Sequence, residues 1–387
     1  MSGVPGADRP AADRPGEGRP GPDRPSLDRP GAADRGPSDR GPSDREPVDC
    51  TVIVVTYNSA TDLPGLLDSL PRAVSGLRVR VLVVDNDSAD DIGSIVDGRS
   101  DVTLIRAGAN LGYAGGINAG RRLLGPTRTV AILNPDLRLA PDSLARLVSA
   151  ACRPGAGAAV PRFTDEAGTT FPSLRREPSV TRVLGDALLG AHWSGRPGWL
   201  SEMVWDPRCY ERPGPVDWAT GAVLVLDAEA DAAVGDWYEE FFLYSEETDY
   251  CRRLRTAGWT VQYVPDARVF HEGGGSGTGP ALTALNEVNR VRYYDRYHGR
   301  LAGGAFRVAV TVGQLARIQR PGNRMALRAL WSSRGRDELP GRPPAVPAGA
   351  SALGQEALGQ EALQQEAAQQ QAQQQQAQQQ ARREFAR

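Results

Sequence analysis

Oxygen-bearing side chains recur in this sequence where apolar runs end. The stretch AILNPDLRLAPDSL, residues 131 to 144, begins like a buried strand and then places Asn134, Pro135 and Asp136 where the strand should continue. Thr56, Tyr57 and Asn58 interrupt the run TVIVV, Asp85, Asn86, Asp87 and Ser88 follow VRVLVV, and the glycine-rich NLGYAGGINAG follows VTLIR. Each cluster alone makes a turn or a helix cap, since Asn, Asp, Pro and Ser favour both. Four of them, each behind an apolar run, predict that carboxylates, amides and bare backbone converge on one ligand-binding crevice.

The apolar runs must position that crevice. Val52 to Val55 are continuous and β-branched, as in a strand covered on both faces, and Leu63, Leu66, Leu67 and Leu70 then follow at helical spacing. The same strand, loop, helix unit recurs with Val79 to Val84, with VTLIR and a helix from about Gly115, and with TVAIL and the helix in DSLARLVSA. Strands alternating with helices at this spacing predict an α/β domain with a largely parallel sheet. Ligands bind outside the carboxyl ends of such strands, where every polar cluster above falls.

Composition removes other functions. A dinucleotide fingerprint needs its glycines directly after the first strand, whereas here they follow the third. All 45 basic residues are Arg, so a phosphate-binding loop that depends on Lys is impossible. Net charge is −2, which creates no global field for nucleic acid. Cys50, Cys152, Cys209 and Cys251 show no metal-site spacing and read as reduced, cytosolic thiols. No apolar run is long enough to span a membrane. Residues 1–47 repeat DRP and SDR units without core-forming residues, so disorder is expected, and 338–387 form a Gln/Ala-rich low-complexity tail.

Six stretches resemble, in order, the family 2 glycosyltransferases with the GT-A fold, most closely their rhamnosyltransferase-like branch. They are TVIVVTYNSATDLPGLLDSL, VLVVDNDSAD, NLGYAGGINAG, ILNPD, VDWATGAVLVL and the run from VGDWYEEFF to HEGGGS, together covering roughly residues 50 to 277. The resemblance implies a GT-A domain, Rossmann-like with a mixed, mostly parallel sheet, over 48–280, with a basic helical segment over 281–337. It implies that Thr56, Tyr57, Asn58, Asp85, Asn86, Asn110, Gly112, Gly115 and Asn118 contact the nucleotide. NPD stands at the family's D-x-D position, so Asp136 is an expected ligand of Mg²⁺ or Mn²⁺, with Asn134 in place of the first carboxylate. His271 corresponds to a metal or diphosphate contact in some relatives. Such a cation stabilises the departing diphosphate and retains phosphate and water ligands.

The acceptor side is expected at Asp217, Trp218 and Gly221. Relatives carry Glu-Asp-x-Asp where this chain has Glu246, Glu247, Thr248 and Asp249, so Glu247 holds the base position with one extra methylene, and Glu246 and Asp249 are alternatives. SEETDYCRRLRTAG also reads as a helix with acids in its first turn and arginines later, as the helix dipole favours. Trp237 reads as core. Arg175 and Arg176, within residues 162–190, read as part of a solvated loop rather than as phosphate contacts. The Arg-rich segment after residue 280 reads equally as a capping bundle or a membrane-surface element.

The expectation is an inverting, metal-dependent transfer, the resemblance pointing to L-rhamnose from dTDP-L-rhamnose and to a glycan or polyprenyl-linked acceptor of the cell envelope. The protein would be cytoplasmic, peripheral on the inner membrane face, with no nucleic-acid partner. A galactofuranosyl or other hexosyl transferase, or a catalytically weakened sugar-nucleotide-binding protein, are the alternatives.

Overall fold

The computed structural model describes residues 47–165, 167–190, 195, 197–271 and 279–341. The two low-complexity tails, apart from their innermost residues, and the HEGGGS glycines lie outside the described residues.

The β-branched run becomes β1 (Cys50–Thr56), buried at every position. It lies parallel to β2 (Val79–Asp85) and β4 (Thr129–Leu133), and β3 (Val102–Arg106) continues the parallel set beyond β2. Because successive side chains point to opposite faces, Val52 and Val54 enter one core and Ile53 and Val55 another. The first core is closed by α1 (Leu63–Ala73) and α4 (Ser143–Ala151), and the second by α3 (Gly112–Arg121). The short α2 (Ile92–Val96) is capped by Asp91, whose side chain accepts from Ser94 N.

The sheet then turns mixed. Strands β5 (Leu137–Leu139), β6 (Ala156–Thr164), β8 (Gly214–Val216), β10 (Val223–Asp227) and β11 (Thr260–His271) extend it in the order β3-β2-β1-β4-β10-β6-β11-β5, with β8 also on β11. β10 runs antiparallel between β4 and β6, and β11 runs parallel to β6 and antiparallel to β5. A separate ribbon pairs β7 (Leu174–Arg175) with β9 (Trp218–Ala219).

NPD does not lead straight into a helix, as its sequence suggests, but links β4 to β5. Three residues span at most about 11 Å, although three strands separate β4 from β5 in the sheet order. The far end of β11 must therefore curl back to the mouth of β4. The register shift between Val264 and Arg268 lies where that bend is needed.

Residues 162–190 are likewise no simple loop. They contain β7 and α5 (Val180–Leu189), which is capped by Ser179 and enters a third core. That core joins α8 (Pro280–Tyr297), α9 (Arg300–Leu315) and α10 (Pro321–Trp331), with Tyr294 stacked on Phe306 at 4.0 Å. α6 (Ala228–Val234), α7 (Glu246–Thr256) and α11 (Ser333–Asp337) are the remaining α-helices among the described residues. The four cysteines form no disulfide.

Candidate active site

A cavity of about 280 Å³ opens at the carboxyl ends of β1 and β4. Tyr57, Ser59, Asn86, Asn110, Asn134 and Asp136 line it, as do Gly112 and Tyr113 at the start of α3 and Phe242 and Leu243 from the loop before α7. The β5–β11 pairing sets His271 opposite Leu137, and His271 Nε2 stands 3.2 Å from Asp136 Oδ2. A carboxylate oxygen that lines the cavity, with an imidazole nitrogen beside it, suits a hard divalent cation that takes its remaining ligands from substrate. No cluster of three or more His, Cys, Asp or Glu with metal-binding geometry exists among the described residues.

The glycine-rich stretch begins its helix at Gly112, not near Gly115, so Gly115 and Asn118 are helical. Gly112 has φ 73°, and a Cβ there would come within 2.4 Å of Phe242 O. Only glycine permits that approach. Tyr113 N then donates to the same carbonyl at 2.6 Å, and Asn86 Nδ2 donates to Gly112 O at 2.8 Å.

The expected nucleotide residues divide by environment. Tyr57 is exposed at the cavity and Asn86 is buried against it. Asn110 lines it while accepting Gly112 N at 3.0 Å. Asp85 is buried, accepting Ser88 N at 3.2 Å with Arg106 at 3.7 Å. Thr56 is wholly buried and donates to Val84 O. Asn58 ties the first two loops together, accepting Ala89 N at 2.8 Å. Asn118 clamps the chain before α7 through Trp237 N, Trp237 O and Glu239 Oε1, all within 3 Å. Thr56, Asn58, Asp85, Gly115 and Asn118 are absent from the cavity wall.

The acidic run opens α7, whose N-cap Ser245 has φ 71°. Tyr244 is also left-handed and Phe242 has φ 60°. Positive φ in bulky residues costs of order 1–3 kcal/mol each and persists only where surroundings enforce it. Asn289 of α8 enforces it here, its Nδ2 donating to Phe241 O, Leu243 O and Tyr244 O at 2.6, 2.9 and 3.3 Å.

Geometry separates the three acids. Asp249 is fully buried and accepts from Arg253 Nε at 2.7 Å and Tyr297 OH at 2.6 Å. Glu246 Oε2 and Glu247 Oε2 are buried without hydrogen-bond partners among the described residues. Burial pushes the Glu246 carboxyl well above the usual range, and the Glu247 charge adds to this. Burial also raises Glu247, opposed by backbone hydrogen bonding and the Arg175 guanidinium. Tyr113 lies in the field of Glu246, Glu247 and Asp136 together; burial first and these three charges next raise its phenol well above 10. Its OH donates to Gly221 O at 3.3 Å, and a Cβ on Gly221 would press on Glu247 Cβ at 3.2 Å.

The rest of the expected acceptor stretch points elsewhere. Trp218 is buried on β9, its indole N–H bonded to Arg176 O at 3.0 Å, so no exposed stacking face remains. Asp217 accepts Glu177 N at 2.8 Å and lines a second cleft of about 770 Å³ with Arg175 and Arg176. Arg175 is half-buried, because β7 pairs with β9, and it donates to Pro172 O and Leu174 O. Trp237 stacks on Tyr250 in the core at 4.3 Å, as its sequence context suggests. Tyr113 and Asn289 are missed by sequence reasoning, whereas Arg175, read there as a solvated-loop residue, is half-buried on β7. Of the two missed residues, only Tyr113, inside the glycine-rich stretch, carried a signal there.

Residues 51–200 match glycosyl transferase family 2. The N-acetylglucosaminyl-diphospho-decaprenol L-rhamnosyltransferase of Mycobacterium tuberculosis is 35% identical over 263 residues, 64% of this chain and 85% of that protein. The chain belongs to glycosyltransferase family 2. The low-salt glycan biosynthesis hexosyltransferase Agl10 of Haloferax volcanii is 28% identical over 211 residues, 54% of this chain and 62% of that one. The crystal structure of GalNAc-T7 with UDP, GalNAc and Mn²⁺ superposes with a TM-score of 0.50 at 14% identity, over 77% of this chain and 59% of that one. The fold is thus GT-A, and this family 2 enzyme is a glycosyltransferase whose cavity lies at the expected strand ends.

Proposed function

We propose that this glycosyltransferase moves L-rhamnose, with inversion, from dTDP-L-rhamnose to a polyprenyl-linked saccharide of the cell envelope. The donor nucleotide would lie along Tyr57, Asn86 and Asn110. Asp136 and His271 would hold Mg²⁺ or Mn²⁺, which would supply charge stabilisation for the departing diphosphate. Glu247 would take the acceptor hydroxyl proton as that oxygen bonds to the anomeric carbon and the bond to the diphosphate breaks. The relative's named acceptor, a diphospho-decaprenol-linked N-acetylglucosamine, supports the lipid-linked class. Such an acceptor would set the enzyme on the inner face of the cell membrane. No described helix is long and apolar enough to cross a membrane.

The observation that carries this reading is the pair of oxygens Glu246 Oε2 and Glu247 Oε2, buried without hydrogen-bond partners among the described residues, with Glu247 beside Gly221 and Tyr113 feeling the charges of both glutamates and of Asp136. Native proteins satisfy nearly all buried polar atoms, so an unsatisfied one calls for an explanation, of which a catalytic role is one. The test is nucleotide release from a panel of nucleotide sugars, with and without a polyprenyl diphosphate N-acetylglucosamine acceptor and a divalent cation. Acceptor-dependent release from dTDP-L-rhamnose is expected. Release from another donor alone overturns the sugar, and donor binding without release from any overturns catalysis.

A further inference from the structure

The outward face of α9 is apolar where a solvated helix would be polar. Leu301, Ala305, Val308, Val312 and Leu315 follow at alternating steps of four and three residues, which keeps them on one stripe. Leu301 is 93% exposed, and Val308 and Leu315 are each 52% exposed. The opposite side of the same helix already supplies Phe306, Ala309 and Val310 to the third core, so the stripe is surplus to folding.

Neighbouring elements widen it. Trp331, at the end of α10 and 59% exposed, bonds its indole N–H to Thr311 Oγ1 of α9 at 3.0 Å. The end of α5 lies along α9, where Arg317 Nη2 donates to Asp186 O at 3.0 Å, and it presents Leu188, 70% exposed, with Leu189 beside it. An apolar surface gathered from three helices marks an interaction site.

Charge identifies the partner. From Arg292 to Glu338 the chain carries ten Arg against three acids, Asp295, Asp337 and Glu338. Arg300, Arg320, Arg324, Arg328, Arg334 and Arg336 are exposed. The nearby acid Asp295 is spent on Arg307 at 2.9 Å. A second copy of the chain would oppose arginines to arginines. We propose that this face docks on an anionic lipid bilayer, with the apolar stripe entering the boundary between headgroups and acyl chains and the arginines meeting lipid phosphates. The same helical segment walls the donor cavity through Leu282 and Pro340. Docking thus sets the site beside the bilayer that a lipid-linked acceptor occupies. That benefit rests on the proposed function, whereas docking itself does not.

The full chain is sedimented with phosphatidylcholine vesicles, with and without phosphatidylglycerol, at low and raised salt. Binding that requires phosphatidylglycerol and weakens with salt is expected. Burying one leucine is worth roughly a factor of ten or more in partition, so the double variant L301E/L315E should bind at least about tenfold more weakly. Its thermal midpoint and its donor binding in solution should match the parent. R320E/R324E should lose the phosphatidylglycerol dependence. Binding to phosphatidylcholine alone as strong as to the anionic vesicles overturns the proposal. So does L301E/L315E sedimenting like its parent, or a parental dimer that L301E/L315E dissociates and that shows no vesicle binding. Vesicle binding without turnover of dTDP-L-rhamnose would leave the docking face standing and the donor assignment refuted.

Discussion

His271 Nε2 lies 3.2 Å from Asp136 Oδ2, although 135 positions separate the two residues in the sequence. Their meeting depends on β5, three residues long, pairing with the bent end of β11. If both hold the cation, Asp136→Asn and His271→Gln should each reduce Mg²⁺- or Mn²⁺-dependent donor affinity at least about tenfold, the scale already seen for residues one shell further out. Thermal shift with donor, with cation or with chelator, reads this directly. A variant with an intact fold and unchanged cation dependence would refute the assignment.

Glu247→Gln should retain donor affinity and lose about 10² to 10⁴ in turnover, the usual contribution of a positioned base. Asp249→Asn should instead lower the thermal midpoint and leave turnover within a few-fold, because Asp249 is occupied by Arg253 and Tyr297. Parental turnover in Glu247→Gln together with a dead Asp249→Asn would reverse the two roles. The pH profile adds a second reading. A base works ionised, and burial raises Glu247, so turnover should fall with decreasing pH at a higher pH than for an ordinary carboxylate. Arg175→Gln removes an opposing influence and should move that acid limb further upward.

Glu246 bears on stability. Its carboxyl is raised in the folded state, by burial first and then by Glu247. The folded protein therefore holds that proton more tightly than the unfolded chain. The associated stability is fully present below the unfolded glutamate value of about 4.3 and is lost as pH rises through the folded value. Glu246→Gln should raise the thermal midpoint at neutral pH, by about 2–4 °C for each kcal/mol recovered, and the gain should shrink toward acid. An equal gain at all pH values would mean that ionisation is not its source.

The four strand ends were legible because β1, β2, β3 and β4 are covered on both faces and so read as apolar runs bounded by polar residues. Tyr57, Asn86 and Asp136 stand where those runs place them. Residue type alone could not separate lining from clamping. Thr56, Asn58 and Asn118 have the chemistry of ligand contacts, yet their partners are backbone and neighbouring loops. β5 is too short to show periodicity, and the curl of β11 arises from a register shift that leaves no composition signal. Arg175 resembles a loop arginine until β9 covers it. α9 is apolar on two sides, so its pattern mixes the core face with the exposed one.

Asn289 supplies the strictest test of how the helical segment serves the site. It is fully buried, and one amide nitrogen holds three carbonyls of the Phe241 to Tyr244 stretch, where Phe242 and Tyr244 have positive φ. That stretch fixes both Gly112, through Phe242, and the start of α7 with Glu246 and Glu247. Asn289→Ala leaves buried carbonyls without a donor, at about 1–3 kcal/mol, and lets the strained backbone relax toward ordinary φ. The midpoint should drop by several degrees. Turnover measured well below that midpoint should fall at least about tenfold, since small misplacements of reacting groups are costly. Asn289→Asp, similar in size but without the donor, should behave alike. Full turnover by a stable Asn289→Asp would show that the loop holds its conformation unaided.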